Sequence, residues 1–518
     1  MTIHMQSSGL SLAAAIVASL AAATVGAQTR PLPQHRPQSI LPAPVPEAEP
    51  TPVPVPPSLA QTVDTVPLPM PSLPLPRISD AQARQLADLI ARDAVAQGLQ
   101  ASEKPVAAGA AAPDHDTIVR LALDHAHAVH AGRLEGADFD REWGIRPPAY
   151  DPLPAFTDAV RRDRLAAWIA SLPPPYAGYD ALVASLARYR KIAATGGWPT
   201  LRVGADLGFG ARGTAVAALR QRLAIEDPQL AATGDSFDTA LLEALRRAQR
   251  RYGLDPAGVA AAQTIAALDV PVGERIRQIM ANMERWRWLP PQLDKDRVQV
   301  NIAAAVLTVF DGDRPVMSMK AVTGRPGDET PMLVSSIHSI VLNPPWNVPS
   351  SIATRELWPK EKANPGYLKR NGFRVIDTGD GGKRLQQASE RSALGRYKFD
   401  FDNAFAVYLH DTPAQSGFAK FDRLASHGCV RLEKPAALAK LLMRGTPEWP
   451  AETIDSTVAA GKTVRAKIDT PVSVYLLYWT AFAAPNGQAS FRDDPYRWDG
   501  ALASKIEARS ARQTLAAR

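Results

Sequence analysis

The paired prolines Pro290-Pro291 divide this chain into two hydrophobic regimes that no single architecture can accommodate. Before them, apolar residues recur at helical spacing: Ala83, Leu86, Leu89 and Ile90 follow a Ser79-Asp80 pair suited to capping a helix, and Ile118, Leu121, Ala122 and His125 repeat the pattern. After them the period drops to two. Val298 to Ile302 and Val306 to Phe310 read as strands, Asp311-Gly312 as a turn, and Val316 to Val322 as the next strand. Ile337 to Leu342, Phe405 to Leu409, Val464 to Ile468 and Val472 to Trp479 extend the sheet, with one short helix over Pro435 to Met443. The expected class is therefore α+β and multidomain, a helical body followed by a mostly β domain. With 518 residues and 46% apolar content, the chain has ample material for several cores.

The N-terminal stretch has a different character. Residues 1–27 contain no Lys, Arg, Asp or Glu, Leu10 to Thr24 is an alanine-rich apolar run, and Val25-Gly26-Ala27 supplies small residues before Gln28. This reads as a secretory signal peptide, with an uncleaved membrane anchor as the alternative because the first nine residues have no Lys or Arg, only His4 and the amino terminus. Residues 31–76 hold sixteen prolines and read as a semi-rigid linker, assigned to 28–77. The net charge of +7 belongs to the remainder of the chain. Scattered basic charge suits an anionic polymer such as the bacterial wall. No zinc finger, RNA-binding motif or basic helix run supports nucleic acid.

Within the helical half, residues 78–199 form one expected domain, including Trp168, Tyr176, Tyr179, Leu182, Leu186 and Tyr189. Its histidines His125, His127 and His130 invite a metal reading. In a helix 125 and 127 point to different faces and no matching carboxylate cluster accompanies them, so structural roles are favoured. Residues 200–272 carry Gly210-Ala211-Arg212-Gly213, Val216, Leu219 and Leu223, then Phe237, Leu241, Leu245, Gly253-Leu254 and Gly258-Val259. These short amphipathic helices joined by glycine turns resemble the three-helix peptidoglycan-binding module, in a wall-binding or an architectural role. Residues 273–295, with Trp286 and Trp288, read as a linking helix.

The chemistry concentrates between His410 and Arg431. Cys429 is the only cysteine in the chain, so it has no disulfide partner within it, and it sits in Ser426-His427-Gly428-Cys429-Val430-Arg431. A thiol has a pKa of about 8.5 and is mostly protonated at neutral pH, so a nucleophilic sulfur needs an imidazole to take its proton. Two histidines qualify on chemistry alone. His427 is two residues away and can point off the turn, whereas His410 arrives from a separate strand. Backbone N–H groups at Gly428 and Cys429 could hold the oxyanion of an attacked carbonyl. No metal-ligand spacing and no phosphate loop is evident, and no cofactor is expected.

His410, a mid-teens spacer, then Ser-His-Gly-Cys, an apolar residue and Arg resembles the catalytic signature of the YkuD-type L,D-transpeptidases. Asn343-Pro344-Pro345-Trp346-Asn347-Val348-Pro349, Gly395-Arg396-Tyr397-Lys398-Phe399 and Tyr408-Leu409-His410-Asp411-Thr412-Pro413 are similar to the large periplasmic subgroup of that family, over about residues 78–500. The resemblance implies a YkuD-type catalytic domain over 296–480 with a capping insertion at about 352–398, a helical scaffold over 78–199, the peptidoglycan-binding-like module, and an extension over 481–518. It implies Cys429 as nucleophile and His410 as base, with His427, Gly428 and Ser426 shaping the oxyanion site. Arg431 is expected either on a stem-peptide carboxylate or in an internal ion pair, and Trp346 either on the cleft wall or in the core. The group orienting His410 is the Asp411 carboxylate or a backbone carbonyl.

The implied activity is periplasmic formation of 3→3 cross-links between peptidoglycan stem peptides through a cysteine acyl-enzyme, with carbapenem acylation and association with other wall-synthesis enzymes. An L,D-carboxypeptidase, a cross-link hydrolase or a protein-to-wall ligase would use the same thioester. A non-catalytic wall-binding scaffold is the rival from another class. In all but the last, the sulfur has to be open to a peptide bond.

Overall fold

Ser79 starts the described helical body. Its hydroxyl accepts the Gln82 N–H at 3.2 Å, and the Gln82 side chain accepts the Ser79 N–H at 3.0 Å, so two donors at the helix start are satisfied reciprocally. In the computed structural model the described residues are 75–99, 114–202, 204–379 and 382–516. The expected signal peptide (1–27) and nearly all of the proline-rich linker lie outside them. No helix among the described residues is long and apolar enough to cross a membrane.

Five helices follow: α1 (Asp80–Ala96), α2 (His115–His130), α3 (Leu153–Arg161), α4 (Leu165–Ala170) and α5 (Ala177–Ala194). Leu86, Ile118, Phe156 and Trp168 close a small core among the first four. The next three, α6 (Thr214–Glu226), α7 (Thr239–Arg251) and α8 (Ala262–Asp269), form the second helical group, and α9 (Val272–Trp286) runs from it back against α5. Glu226 is buried between them. It pairs with Arg222 at 2.7 Å and accepts the Tyr252 hydroxyl at 2.6 Å and that of Tyr189 at 2.5 Å.

Fourteen strands are described after Pro291, beginning with β1 (Asp296–Asn301), β2 (Val306–Asp311), β3 (Arg314–Gly324) and β4 (Leu333–Leu342). β5 (Trp346–Val348), β6 (Phe373–Asp377) and β7 (Lys383–Gln387) make a separate three-stranded sheet in the order β5-β7-β6. β8 (Tyr397–Phe401), β9 (Leu409–His410), β10 (Leu424–Ser426), β11 (Val430–Leu432) and β12 (Val464–Leu477) return to the main sheet. Its order is β10-β3-β11-β9-β8-β4-β12-β1-β2, and β2 also pairs with β3, so the strands close a ring that buries most of its apolar residues. A hairpin of β13 (Ala481–Ala483) and β14 (Ala489–Phe491) precedes a last helix (Trp498–Ala516).

The sequence expectation needs adjusting in three places. The insertion starts at Trp346, not 352, because β5 pairs with β7 inside it, and it ends before Tyr397, because β8 pairs with β4 of the main sheet. Of the expected strand Phe405–Leu409 only Leu409 is in β9; Asn403 instead holds Phe405 and Val407 through hydrogen bonds to their N–H groups. The two expected final strands are one, β12, with a register shift between Lys467 and Val472.

Candidate active site

Strand register builds the site. β9 and β11 are parallel neighbours, with Leu409 opposite Val430 and His410 opposite Arg431. Residues paired across parallel strands share a face, so Arg431 and His410 lie on one side of the sheet, and Cys429 immediately precedes β11. The backbone agrees, since the Val430 N–H donates to the Tyr408 carbonyl at 3.1 Å. Tyr408 and His410 meet edge to face with ring centroids 5.6 Å apart.

His410 Nδ1 is hydrogen-bonded to the carbonyl oxygen of Asp411. With its proton on Nδ1, the ring presents Nε2 as an acceptor, the tautomer a base requires. The orienting group is thus a backbone carbonyl and not the Asp411 carboxylate. That carboxylate accepts the N–H groups of Arg396 and Thr412, each at 2.7 Å, and burial raises its pKa above the usual carboxylate range.

Ser426 holds the turn before Cys429. Its hydroxyl donates to the Cys429 carbonyl at 2.5 Å and accepts the Gly428 N–H at 3.2 Å. Gly428 has φ +108°, and a Cβ there would lie 3.3 Å from the Glu329 carbonyl oxygen, so this residue has to be glycine. In this loop the Gly428 N–H, expected as an oxyanion donor, is hydrogen-bonded to the Ser426 hydroxyl.

Three further expectations change. Trp346, offered as a cleft wall, is fully buried and packs on Phe373 within the insertion, where β5 and β7 enclose it. His427 does not line an oxyanion site. Its Nε2 lies 2.7 Å from Glu356 Oε1 of the insertion and 2.9 Å from an Arg325 guanidinium nitrogen, and its buried Nδ1 has no hydrogen-bond partner among the described residues. Cys429 is only 1% exposed and His410 0%, so the sulfur expected to be open is covered. Two cavities of about 440 and 360 Å³ lie elsewhere, and neither is lined by Cys429 or His410. Arg431 is half-buried on β11, on the face it shares with His410.

Sequence reasoning missed the residues that brace this loop. Thr330 Oγ1 donates to the Gly428 carbonyl at 2.7 Å and accepts the Gly324 N–H at 2.8 Å. Tyr496, from the C-terminal extension, donates to the Gly324 carbonyl at 2.6 Å. The scaffold reaches the same place, where Trp143 and Met332 form a parallel β-bridge, with the Gly144 N–H donating to the Met332 carbonyl at 2.8 Å and the Met332 N–H to the Glu142 carbonyl at 2.8 Å. Arg325 could have been suspected, since Gly324-Arg325-Pro326-Gly327 marks a turn directly after a strand. Two of the three histidines singled out in the scaffold have structural contacts and the third faces solvent. His125 pairs with Asp93 at 2.8 Å, His130 stacks on Tyr150, and His127 is exposed. Among the described residues no group of three or more His, Cys, Asp or Glu is placed to hold a metal.

A cysteine and an oriented imidazole brought in by neighbouring strands of a β ring, with the insertion reaching the same loop through Glu356, are the groups that a cysteine-nucleophile acyl transfer would use. Residues 295–451 match the L,D-transpeptidase catalytic domain (YkuD), and residues 77–186 match the Scaffold domain. The chain thus carries a YkuD-type L,D-transpeptidase catalytic domain preceded by a Scaffold domain. A Haemophilus influenzae protein named for an inferred L,D-transpeptidase activity is 31% identical over 240 residues, which cover 43% of this chain and 48% of that protein. The chain therefore spans about half the length of that curated relative.

Among solved structures, an L,D-transpeptidase fragment from Xylanimonas cellulosilytica is 18% identical, with 53% of this chain and 99% of that one covered and a TM-score of 0.19. The ertapenem-acylated catalytic domain from Enterococcus faecium is 12% identical, with 36% and 99% covered and a TM-score of 0.18.

Proposed function

We propose that this protein is a peptidoglycan L,D-transpeptidase that forms 3→3 cross-links between stem peptides through a thioester on Cys429. The observation that supports this reading is the β9–β11 register, which pairs His410 with Arg431 and Leu409 with Val430, the residue after Cys429, while the Asp411 carbonyl fixes the imidazole. The Cys429 thiol proton passes to His410 Nε2, and the sulfur attacks the carbonyl of the diamino acid at the third stem position. As the tetrahedral intermediate collapses, the bond to the terminal D-alanine breaks and the imidazolium returns its proton to the departing amine. The side-chain amine of a second stem then attacks the thioester, gives its proton to His410, and the sulfur leaves as a thiol. Because the sulfur is covered, the cap has to open for either stem to enter.

Exposure of the purified protein to a disaccharide-tetrapeptide or a carbapenem tests the reading by intact mass. The expected result is a single adduct on the wild type, mapped to Cys429 and absent from Cys429→Ala. No adduct on the wild type, or an equal one on the variant, rejects it. The periplasm is the proposed location, resting on the composition of residues 1–27. A mature N-terminus at Gln28 in the periplasmic fraction supports it, and recovery of the intact chain from the cytoplasm counts against it.

A further inference from the structure

Arg325, His427 and Glu356 converge beside the nucleophile. Arg325 directly follows β3, and its backbone N–H donates to the Ser426 carbonyl at 3.0 Å, so the residue is anchored on the Cys429 loop. Its Nε edge is taken by Asp328 at 2.7 Å. Nη2 of the same guanidinium is shared: it lies 2.7 Å from Asp328, 2.9 Å from His427 Nε2 and 3.6 Å from Glu356 Oε1, while that Glu356 oxygen is 2.7 Å from His427 Nε2. The Glu356 oxygen is thus hydrogen-bonded to the His427 ring and within ion-pair range of the Arg325 guanidinium, the two groups a carboxylate at this place would meet.

That oxygen comes from the cap. Glu356 lies in a wider, π-type turn over Ala353–Leu357, a helical irregularity that recurs at functional sites. Its side chain is 23% exposed and that of Arg325 45%, so solvent reaches the contact from outside although Cys429 beneath it is covered. Asp328 is also held by Arg355 of the cap, at 3.2 Å. When the cap lifts, Asp328 stays with Arg325 on its own loop and Glu356 leaves.

We propose that the Arg325–His427 pair is the subsite for a free carboxylate on the donor peptide, and that Glu356 is the intramolecular carboxylate which such a donor displaces. The cap then opens at less cost to a donor whose own carboxylate replaces the contact it breaks, which makes Arg325 a specificity residue. The inference rests on the transpeptidase reading above.

The test compares acylation of the full chain by two disaccharide-tetrapeptides, one with the diamino acid carboxylate free and one with it amidated. The free acid is expected to show the lower KM on the wild type. Arg325→Gln should raise KM for the free acid roughly tenfold or more, on the scale of a lost charge-assisted hydrogen bond, and so collapse the difference between donors. Glu356→Gln removes the competing carboxylate and should lower KM for the free acid. Equal KM values on the wild type, which needs no variant to fold, overturn the proposal, as does an Arg325→Gln effect of the same size on both donors or a rise in KM with Glu356→Gln. Failure of both donors to acylate the wild type rejects the transpeptidase reading itself, whereas acylation without discrimination rejects only the carboxylate subsite.

Discussion

The Thr330 hydroxyl joins the end of β3 to the nucleophile turn, donating to the Gly428 carbonyl at 2.7 Å while it accepts the Gly324 N–H at 2.8 Å. Thr330→Val keeps the shape and leaves both backbone groups buried without a partner, which costs about 1–3 kcal/mol each when unrelieved. The expected outcome is a lower thermal midpoint together with slower acylation of Cys429. A variant as stable and as fast as the wild type would show that the loop holds its form without this clamp.

His410→Gln should reduce the acylation rate on the order of 10²- to 10⁴-fold, the usual worth of a positioned proton acceptor. Time-resolved intact mass with a carbapenem gives the rate. His427→Gln is the comparator, since its ring is turned to Arg325 and Glu356. If His427→Gln were the more damaging, the base assignment would have to be exchanged.

Gly428→Ala forces a side chain onto φ +108° and against the Glu329 carbonyl, 3.3 Å from the new Cβ. Strain of about 1–3 kcal/mol is expected. The turn should relax toward negative φ and move Cys429 away from His410, so acylation falls even where the thermal midpoint is only modestly lower. Retained wild-type acylation by the folded variant contradicts the need for glycine.

Glu226 gives a pH prediction far from the site. Burial alone pushes its carboxyl up, but the Arg222 and Arg251 guanidiniums and the Tyr189 and Tyr252 hydroxyls outweigh it and hold the pKa at about 2, below the ordinary 4.5. A depressed folded-state pKa means that the stabilisation is fully present above the ordinary value and is lost as pH falls through the folded one. Glu226→Gln should therefore cost about 3–5 kcal/mol near neutrality, as for a broken buried ion pair. The gap from wild type should narrow as pH drops from about 4.5 toward about 2. Denaturant midpoints across that range measure it, and a gap that stays constant would assign the effect to packing.

Much of the fold could be read along the chain, because helices and strands announce themselves through local spacing. The capping pair at Ser79, the turn at Asp311-Gly312 and the change of period at Pro290-Pro291 each act within a few residues. β8 and β9 were harder. Two-residue β9 has no alternation to detect, and Tyr397 to Phe401 joins the main sheet between β9 and β4, the latter with partner residues far off in sequence.

The candidate site divides the same way. His410, Ser426, Gly428 and Cys429 could be picked out because acyl transfer needs particular atoms, and a cysteine beside a glycine and near two histidines is rare in any composition. That Trp346 belongs to a buried sheet, that the Asp411 carbonyl and not its carboxylate turns His410, that Cys429 is covered and that Glu356 of the insertion meets His427 were decided by tertiary structure. Those contacts join residues as far apart in sequence as the 71 positions between Glu356 and His427, or the 172 between Gly324 and Tyr496. Spacing along a chain records which side chains are available and which face each one takes; only the closing of the strand ring and the docking of the cap determine what each face meets.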